Sequence, residues 1–299
     1  MLSHRRLAML PGVLDALTAQ RYAPRELIVV DNQSDQSAEI EAVARRYPDV
    51  RFIASPRNLG FAGGINIGIA AAGGRYLYLT EDDLIPPPDT LDVLVDYLQG
   101  HPDTGMAGGM IASQQTGLVL YAGGSFTLGP IFRMTLPHVG EPIGRQATVP
   151  VLVGYMPAGS ALVDGELLSR IGPFRAEFFM YNEDLELCAR IARHRQSIAL
   201  VPQVCVQHID PPPRPSGSSL SPFEFHKMKN FYALYLLHAP LRVLPEFLVR
   251  YWLITLVKES WGAPASARVR LRALGWVGRN LGGLLRDRRM MLQPPVLKA

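Results

Sequence analysis

Residues 27–34 read LIVVDNQS, a run of four apolar side chains that ends at Asp31 and Asn32. An unbroken apolar run of this length is typical of a parallel β-strand that is covered on both faces. The acid and the amide follow at once, so they lie where the strand leaves the sheet. In open α/β sheets, ligands bind outside the carboxyl ends of the strands. This stretch therefore predicts a buried parallel strand and a candidate binding edge.

Helical and strand patterns alternate on both sides of this run. Apolar residues recur at helical spacing over 7–17, and again at Ile40, Val43 and Tyr47. Short apolar segments at 50–54 and 76–80 are typical of further strands, and a glycine-broken helix over 62–71 lies between them. The order αβαβαβ predicts an α/β fold with a doubly wound, mostly parallel sheet.

The sequence starts with a helical pattern, whereas a sheet of this kind normally starts with a strand. We therefore expect the first strand to be missing. Either it lies before Met1, which we favour, or another segment takes its place. Loss of a central strand would leave two sheet edges unpaired and the binding edge open.

The second half of the chain divides into a β-rich part and a helical part. Residues 105–163 alternate short apolar runs with Gly and Pro, which is typical of a smaller, irregular β region. The Pro-rich stretch 209–222 is predicted to be a loop or flap. Helices are predicted over 166–171, 183–194, 225–237, 245–257 and 266–290. We expect a main domain over 1–230 and C-terminal helices over 231–299, the last of them basic and amphipathic.

The composition of the 299 residues indicates a globular protein, with 48% hydrophobic and 19% charged residues. These fractions exclude disordered, collagen-like and coiled-coil proteins. The two cysteines, Cys188 and Cys205, exclude a disulfide scaffold or a Cys-rich zinc site and fit a reducing compartment. The N-terminus lacks the pattern of a signal peptide, and no stretch is apolar enough to cross a bilayer. We therefore expect a cytoplasmic protein.

Positive charge is concentrated at the C-terminal end. The formal net charge is +4, but residues 258–299 carry nine Lys and Arg against two acids, so the preceding 257 residues sum to −3. Such a basic amphipathic segment either binds an anionic membrane surface, with Trp252, Trp261 and Trp276 as interfacial anchors, or is a solvated appendage. Nucleic acid is not an expected partner, because the basic stretch contains no known binding module.

Glu81-Asp82-Asp83 follows the strand at 76–80 and lies at the same predicted edge as Asp31. In an extended segment, Glu81 and Asp83 point to one side and Asp82 to the other. Paired carboxylates at a strand end suit Mg²⁺ or Mn²⁺ holding a phosphate, and a solvated acidic turn is the alternative. Asp31 and Asn32 either cap the next helix or contact a nucleoside.

A glycine-rich turn, NLGFAGGIN at 58–66, follows the strand at 50–54. Glycines at a strand-to-helix turn let backbone N–H groups approach a ligand closely. Their spacing does not match the dinucleotide fingerprint, and a plain turn is the alternative. His208 follows the apolar run 198–206, where an imidazole near acids could complete a metal shell or be an ordinary surface histidine.

Glu183 and Asp184 open a predicted helix, where the helix dipole stabilises acids. Glu183 falls on a charged face with Glu186 and Arg190, which are spaced as an i,i+4 pair. Asp184 falls on the apolar face instead. A carboxylate aimed inward should occupy a pocket in which desolvation raises its pKa and suits it to act as a general base.

Four stretches, taken in order, resemble the family 2 inverting glycosyltransferases of the GT-A fold, most closely their rhamnosyltransferase-like branch. The stretches are LIVVDNQS, NLGFAGGINIGI, LYLTEDDLIPPP and AGSALVDGELLSRIGPFRAEFFMYNEDLELCARIARH. The resemblance covers about residues 5–240. It departs from the family pattern at Glu81, where Asp is usual, at Lys229-Asn230, where Arg-Asn is usual, and at the missing first strand.

The resemblance implies roles for particular positions. It implies donor contacts at Asp31, Asn32, Asn58, Gly60, Gly63, Asn66 and Asp82. It implies a divalent cofactor, Mg²⁺ or Mn²⁺, on Asp83, with Glu81 and His208 assisting. It implies that Asp184 is the catalytic base, with Glu183 beside it.

The activity implied by the resemblance is metal-dependent transfer of a sugar, with inversion, from a nucleotide-sugar donor to a hydroxyl acceptor. The acceptor would be lipid-linked, a polysaccharide or another hydroxyl compound at the inner face of the cell membrane. A non-catalytic sugar-nucleotide or membrane-surface binding protein is the alternative if the first strand is truly missing. A nucleotidyltransferase ranks last, because Arg57 is the only obvious basic residue near the glycine turn.

Overall fold

The computed structural model describes residues 1–22, 26–35, 37–209, 223–254 and 264–292. Twelve strands are formed by these residues: β1 Leu2–Ser3, β2 Leu27–Asp31, β3 Val50–Ala54, β4 Tyr76–Thr80, β5 Leu84–Ile85, β6 Thr104–Ser113, β7 Val119–Tyr121, β8 Ser125–Leu128, β9 Phe132–Thr135, β10 Val151–Leu152, β11 Ser160–Asp164 and β12 Ser197–His208. The predicted flap at 209–222 lies, apart from Ile209, outside the described residues.

Nine α-helices are formed by the same residues: α1 Leu10–Thr18, α2 Ser37–Arg46, α3 Gly60–Ala71, α4 Thr90–Gly100, α5 Gly165–Ile171, α6 Glu183–Arg193, α7 Glu224–His238, α8 Leu244–Leu248 and α9 Pro264–Leu292. Short 3₁₀ turns occur at Ala176–Phe178 and Leu241–Val243, and a π-helical segment at Val249–Ile254. The predicted helix over 245–257 is therefore short, and residues 255–257 lie outside the described residues. No helix in the described ranges is long and apolar enough to cross a membrane.

Two sheets meet at the edge that carries the site. The strands β1, β2 and β3 form a parallel sheet in the order β1-β2-β3. The second sheet is mixed, in the order β10-β12-β6-β11-β4, with β5 paired to β12 and β7 paired to β6. An isolated parallel bridge between Leu2 and Glu81 joins the two sheets. The carboxyl ends of β1, β2 and β4 therefore lie side by side.

At the place where we expected the first strand to be missing, Leu2 and Ser3 form a short strand beside β2. They pair in parallel register with Val30 and Asp31. The Met1 ammonium donates a hydrogen bond to the Ile28 carbonyl at 2.8 Å. A strand of two residues is too short to show an alternating apolar pattern in the sequence. It forms because β2 offers an unpaired edge.

A cavity of about 430 Å³ continues the line of β1 between β2 and β4. Its walls include Leu27 and Ile28 of β2 and 76–80 of β4. Ile65 of α3 and Val95 of α4 contribute apolar side chains to the lining. The gap therefore lies between the two sheets, beside Met1.

The prediction of a mostly parallel sheet is confirmed for β2 and β3 and modified beyond β4. The strand β11 runs antiparallel to both β4 and β6, whereas β6 and β12 are parallel. Four strands from the predicted irregular region, β6, β7, β10 and β11, thus belong to the mixed sheet, and β6 and β11 are buried in it. The irregular part is the hairpin of β8 and β9 with the loops around it.

The C-terminal helices pack into a hydrophobic cluster separate from the sheet core. The helices α7 and α9 lie against each other. The rings of Tyr235 and Phe247 stack at a centroid distance of 3.7 Å. Phe178, which precedes α6, is fully buried in the same cluster. The cluster therefore connects α7 to the segment that leads into α6.

Candidate active site

The carboxyl ends of the parallel strands carry a network of amide and imidazole groups. Asn32 donates from Nδ2 to Asn58 Oδ1 at 3.1 Å and to the Gly60 carbonyl at 3.0 Å. Its Oδ1 accepts from the Leu59 backbone N–H at 2.9 Å. His4 lies between the two asparagines, with Nδ1 at 2.7 Å from the Asn32 carbonyl and Nε2 at 3.2 Å from Asn58 Nδ2. The structure therefore brings the end of β2 and the glycine-rich turn together.

Three of the predicted donor contacts take part in local structure. Asp31 Oδ1 accepts a hydrogen bond from the Ser34 N–H at 3.0 Å, which closes a local turn before α2 begins at Ser37. Asn66 is bonded through both its amide atoms to the backbone of Phe174. A Cβ on Gly63 would lie 2.8 Å from Leu59 Cβ, so this glycine permits close packing inside α3. Their donor-binding roles remain predictions.

The prediction that the side chains of 81–83 point to alternate sides of an extended segment is wrong, because residues 82 and 83 form a turn. Asp82 turns back to β1, where it accepts from Ser3 Oγ at 2.8 Å and from the His4 backbone N–H at 3.1 Å. Asp83 forms an ion pair with Arg6. Glu81 lies elsewhere, against Gly159, where a Cβ would come within 2.6 Å of its Oε1. Asp82 and Asp83 therefore share the Arg6 guanidinium, which lies 3.7 Å from Asp82 Oδ1, whereas Glu81 faces Gly159.

Asp83 and His208 form the part of the site that suits a divalent cation. His208 Nε2 lies 3.6 Å from Asp83 Oδ2, although the two residues come from different strand ends. No three His, Cys, Asp or Glu side chains gather around a common point within the described ranges, and the assistance of Glu81 in metal binding remains a prediction. A carboxylate and an imidazole fit a cation that takes its remaining ligands from phosphate and water. The pair is therefore a candidate site for Mg²⁺ or Mn²⁺.

Asp184 lies in the first turn of α6 and faces the acidic turn. Burial raises its pKa, and a hydrogen bond from the Ala158 backbone opposes that shift. Its Oδ1 is buried and has no hydrogen-bond partner among the described residues. Burial raises the pKa of Glu81 to about 7, and the charge of Asp184 adds to this shift. The inward direction predicted for Asp184 thus agrees with the structure, and its catalytic role remains a prediction.

The charged face predicted for α6 is buried. Glu183 is nearly inaccessible, and burial together with the charge of Asp184 raises its pKa. Glu186 is fully buried between Arg190, at 2.8 Å, and His238, at 3.1 Å. Hydrogen bonds from Arg190 to the carbonyls of residues 171, 172 and 173 balance its buried charge. This face therefore fixes α6 against its neighbours.

Ser3, His4 and Arg6 are site residues that the sequence analysis did not find. They directly follow the end of the short strand β1 and contact Asp82, Asn32 and Asp83, as described above. A polar cluster just after a strand is the same signal that identified Asp31. It was missed because no strand was predicted before it.

Comparison with known proteins identifies relatives of the chain. Residues 1–165, more than half of it, match the family model described as Glycosyl transferase family 2. The N-acetylglucosaminyl-diphospho-decaprenol L-rhamnosyltransferase of Mycobacterium tuberculosis is 24% identical over 215 residues, which cover 65% of this chain and 70% of that protein. The galactofuranosyltransferase GlfT1 of Mycolicibacterium smegmatis is 36% identical over 92 residues, which cover 30% of each protein.

Solved structures show the same fold. The structure of GalNAc-T7 with UDP, GalNAc and Mn²⁺ has a TM-score of 0.60 at 16% identity and covers 79% of this chain and 47% of that one. The mannosyltransferase PcManGT of Pyrobaculum calidifontis, in complex with GDP-Man and Mn²⁺, has a TM-score of 0.52 at 18% identity and covers 98% of this chain and 80% of that one. These likenesses confirm the predicted GT-A type α/β fold.

Proposed function

The chain belongs to glycosyl transferase family 2, and we propose that it moves a sugar, with inversion, from a nucleotide-sugar donor to a hydroxyl acceptor. The observation that carries the proposal is the position of Asp184, a partly buried carboxylate with an unpartnered Oδ1 beside the acidic turn of β4. The names of the two mycobacterial relatives support a role in the synthesis of a cell-surface polysaccharide or glycolipid.

The donor binds at the carboxyl ends of β1, β2 and β3. Asn58 and the imidazole of His4 are partly exposed and border the surface on which a nucleoside would lie, while the buried Asn32 amide holds Asn58 and the glycine turn in place. The backbone N–H groups of residues 58, 59, 60 and 62 already donate to partners within the protein, so the glycine turn would offer the diphosphate mainly the positive end of the α3 dipole. Asp82 supports this surface through its bonds to Ser3 and His4.

Asp83 and His208 would hold a divalent cation next to the diphosphate. When bound, the cation supplies positive charge that neutralises the departing nucleoside diphosphate. Arg6, which pairs with Asp83, contributes a fixed positive charge at the same place.

Asp83→Asn should weaken Mn²⁺ binding at least tenfold in a titration followed by electron paramagnetic resonance. The matched control Asp82→Asn should retain binding, and equal losses in both variants would reject the assignment.

Asp184 accepts the proton of the acceptor hydroxyl as the oxygen attacks the anomeric carbon. The bond from that carbon to the diphosphate oxygen breaks on the opposite side, so a single displacement inverts the configuration. The raised pKa of Asp184 brings the carboxylate closer to the pH at which proton transfer is efficient.

The test of the proposal is transfer activity with a panel of nucleotide sugars, Mn²⁺ and a prenyl-diphosphate-linked sugar acceptor. Asp184→Asn should keep donor affinity and lose about 10²- to 10⁴-fold in kcat, the range for removal of a general base. Product analysis by NMR should show inverted anomeric configuration. Unchanged turnover in the variant, or retained configuration, would contradict the mechanism.

The alternative of a non-catalytic binding protein depended on an open site at a missing strand. Leu2 and Ser3 occupy that edge and engage Asp82, which favours the catalytic proposal. The absence of transfer with every donor of the panel, together with measurable donor binding, would restore the alternative.

The membrane-surface part of the proposal is supported by α9. Arg272, Arg279 and Arg286 are spaced seven residues apart and exposed, which gives one basic stripe along the helix. Asp287 is paired with Arg175 and so does not neutralise the stripe. Each arginine at an anionic surface contributes about 1 kcal/mol of attraction.

The protein should float with vesicles that contain anionic lipid and should not float with vesicles of neutral lipid. The double variant Arg279→Glu/Arg286→Glu should no longer float with the anionic vesicles.

Trp276 is partly buried against the C-terminal cluster, with its ring 4.7 Å from the Lys229 ammonium, and its role as an interfacial anchor remains a prediction. Trp261 and the side chain of Trp252 lie outside the described residues.

A further inference from the structure

Two polar side chains, Lys229 and Asn230, are buried in the middle of α7. Lys229 is 2% exposed and Asn230 is 0% exposed. Polar groups so deeply buried destabilise a fold unless each donor and acceptor finds a partner. Their partners here belong to the segment 177–182, which leads into α6.

The amide nitrogen of Asn230 lies among three backbone carbonyls. Its two N–H groups are shared among the carbonyls of Phe178, Met180 and Tyr181, which lie 2.7, 2.9 and 2.6 Å from Nδ2. Its Oδ1 accepts from the Lys229 ammonium at 2.6 Å. This bond fixes the amide orientation, because the oxygen must face the ammonium and the nitrogen must face the carbonyls.

Lys229 adds a positive charge to the same group of carbonyls. Its ammonium donates to the Glu177 carbonyl and, at 3.3 Å, to the Phe178 carbonyl. Hydrogen bonds from a charged donor are about twice as strong as neutral ones. Lys229 and Asn230 together, here called the carbonyl clamp, therefore engage four of the five carbonyls of 177–181 by these contacts.

The clamped segment has a conformation that side chains rarely adopt. Phe179, Tyr181 and Asn182 all have φ between +64° and +69°, the left-handed region. Each such residue costs on the order of 1–3 kcal/mol and persists only where its surroundings hold it. The carbonyls of such a segment cannot pair with a helix or a strand, so donors from outside must satisfy them.

The segment lies between the two halves of the proposed site. On one side, the Phe179 carbonyl accepts from the Ala62 N–H at 3.1 Å, next to Gly60 at the start of α3. On the other side, the segment runs directly into Glu183 and Asp184. The same backbone thus contacts the proposed donor turn and sets the starting direction of the helix that carries the proposed base.

We propose that Lys229 and Asn230 are positioning residues for the transfer reaction: through the clamped carbonyls they hold Asp184 in line with a donor bound at the glycine turn. This inference rests on the proposed function. Neither side chain contacts Asp184 in the structure, and both act through the backbone of 177–182. A displacement of about 1 Å at a reacting group costs roughly 10²-fold in rate, so the clamp should appear mainly in kcat.

The test uses two pairs of variants in the full chain. Asn230→Asp keeps the size of the side chain and removes its donors, and Asn230→Ala removes the side chain in case the acid prevents folding. Lys229→Met removes the charge at similar length, and Lys229→Arg retains a cation that can donate to carbonyls. Arg288→Met is the matched control. Arg288 is also buried and donates to two carbonyls, at Leu236 and Ala239, but these lie far from the segment in sequence.

The expected result is a separation between kcat and KM. Asn230→Asp, Asn230→Ala and Lys229→Met should lower kcat by about 10²-fold, with the KM of the donor changed less than threefold. Lys229→Arg should recover at least a third of the wild-type kcat. Arg288→Met should lower the Tm without lowering kcat.

Hydrogen exchange separates the clamp from the proposed function. The amides of 177–186 should exchange at least tenfold faster in Asn230→Ala than in the wild type, and should be unchanged in Arg288→Met. If the wild type transfers no sugar but this local exchange is seen, the clamp stands as a structural device and its catalytic role is refuted. Wild-type kcat in all three clamp variants, or faster exchange spread evenly over the chain, would overturn the proposal.

Discussion

Several carboxylates crowd the space around Asp184, and burial raises the pKa of Glu81, Asp82, Glu183 and Asp184. A protein that buries carboxylates together destabilises their charged forms, and the folded state therefore binds protons more tightly than the unfolded chain. Such crowding is common where an enzyme needs a base or a cation.

Glu81 allows the energetic consequence to be tested without activity. Its pKa rises from the ordinary 4.5 to about 7 on folding. The folded state is therefore favoured by protonation: this contribution is complete below about pH 4.5 and is lost as the pH rises through 7. Glu81→Gln cannot ionise, so at pH 8 in EDTA it should be more stable than the wild type, by up to about 3 kcal/mol before solvent screening. At pH 5 the difference should fall to less than about 1 kcal/mol.

Thermal unfolding at both pH values measures this difference. The exposed Glu39→Gln, on α2, is the control and should change Tm by less than about 1 °C at either pH. A stability gain in Glu81→Gln that is equal at pH 5 and pH 8 would contradict the assignment, because it would come from packing and not from charge.

The chemical types at the site could be predicted from the sequence, but their orientation could not. The acids and amides after β2 and β4 stand out because they interrupt apolar runs. The direction of Asp82 depends on Ser3, which is 79 residues away along the chain. No local pattern contains that contact, and the alternation rule for extended chain fails where a turn begins.

At the scale of elements, the start of α3 and the segment 177–182 fit together around Gly60. Its φ is +69°, and a Cβ at this position would overlap the carbonyl oxygen of Phe179. Gly60→Ala should therefore both strain the backbone and push the segment away, which we expect to cost about 2–4 kcal/mol of stability. It should also lower transfer activity, because the segment leads to Asp184.

Urea unfolding and the transfer assay measure the two effects in the same preparation. Gly12→Ala is the control, since Gly12 lies inside α1 and the position that a Cβ would take has no neighbouring atom within 4 Å. It should be neutral or stabilising by up to about 1 kcal/mol, because alanine favours a helix over glycine. Equal stability of Gly60→Ala and the wild type would show that 177–182 is free to move away.

Elements with a strong local signal were predicted almost to the residue. The strands β3 and β4 and the helix α6 have bounds close to those predicted, since each is a periodic apolar segment ended by polar residues or glycine. The burial of the charged face of α6 was not predictable in this way. Glu186, Arg190 and His238 are buried because they satisfy one another, and His238 comes from a different helix.

At the scale of the whole molecule, the space between β2 and β4 is only partly filled by the short strand β1. The strand pairs with β2 over two residues only, and the Met1 ammonium is buried next to the cavity of about 430 Å³. Desolvation lowers the pKa of this ammonium to about 5, which means that the charged form is disfavoured where it lies. The parallel pairing was unpredictable from β1 itself, because its partners come from residues 28–32 and 81.

An extended apolar segment joined to Met1 should fit this cavity and stabilise the protein. The backbone groups of Leu27 on β2 and of 76–79 on β4 border the gap, and parallel pairing to both would continue the register of Leu2 with Val30. A peptide bond at Met1 would replace the buried ammonium by an amide that can donate to the same Ile28 carbonyl. Apolar side chains would fill space now bordered by Ile65 and Val95.

The experiment compares the chain as it is with two versions extended before Met1 by five residues. A Val-Ile-Val-Val-Ile extension should raise Tm by at least about 4 °C, since 1 kcal/mol shifts Tm by roughly 2–4 °C in a domain of 150–250 residues. An extension of the same length that alternates Asp and Pro cannot pair as a strand or enter an apolar gap, and should leave Tm unchanged or lower it. Slower hydrogen exchange at 27–30 and 76–80 in the apolar version alone would place the added strand between β2 and β4. The same Tm in all three chains would mean that the gap closes by itself in solution.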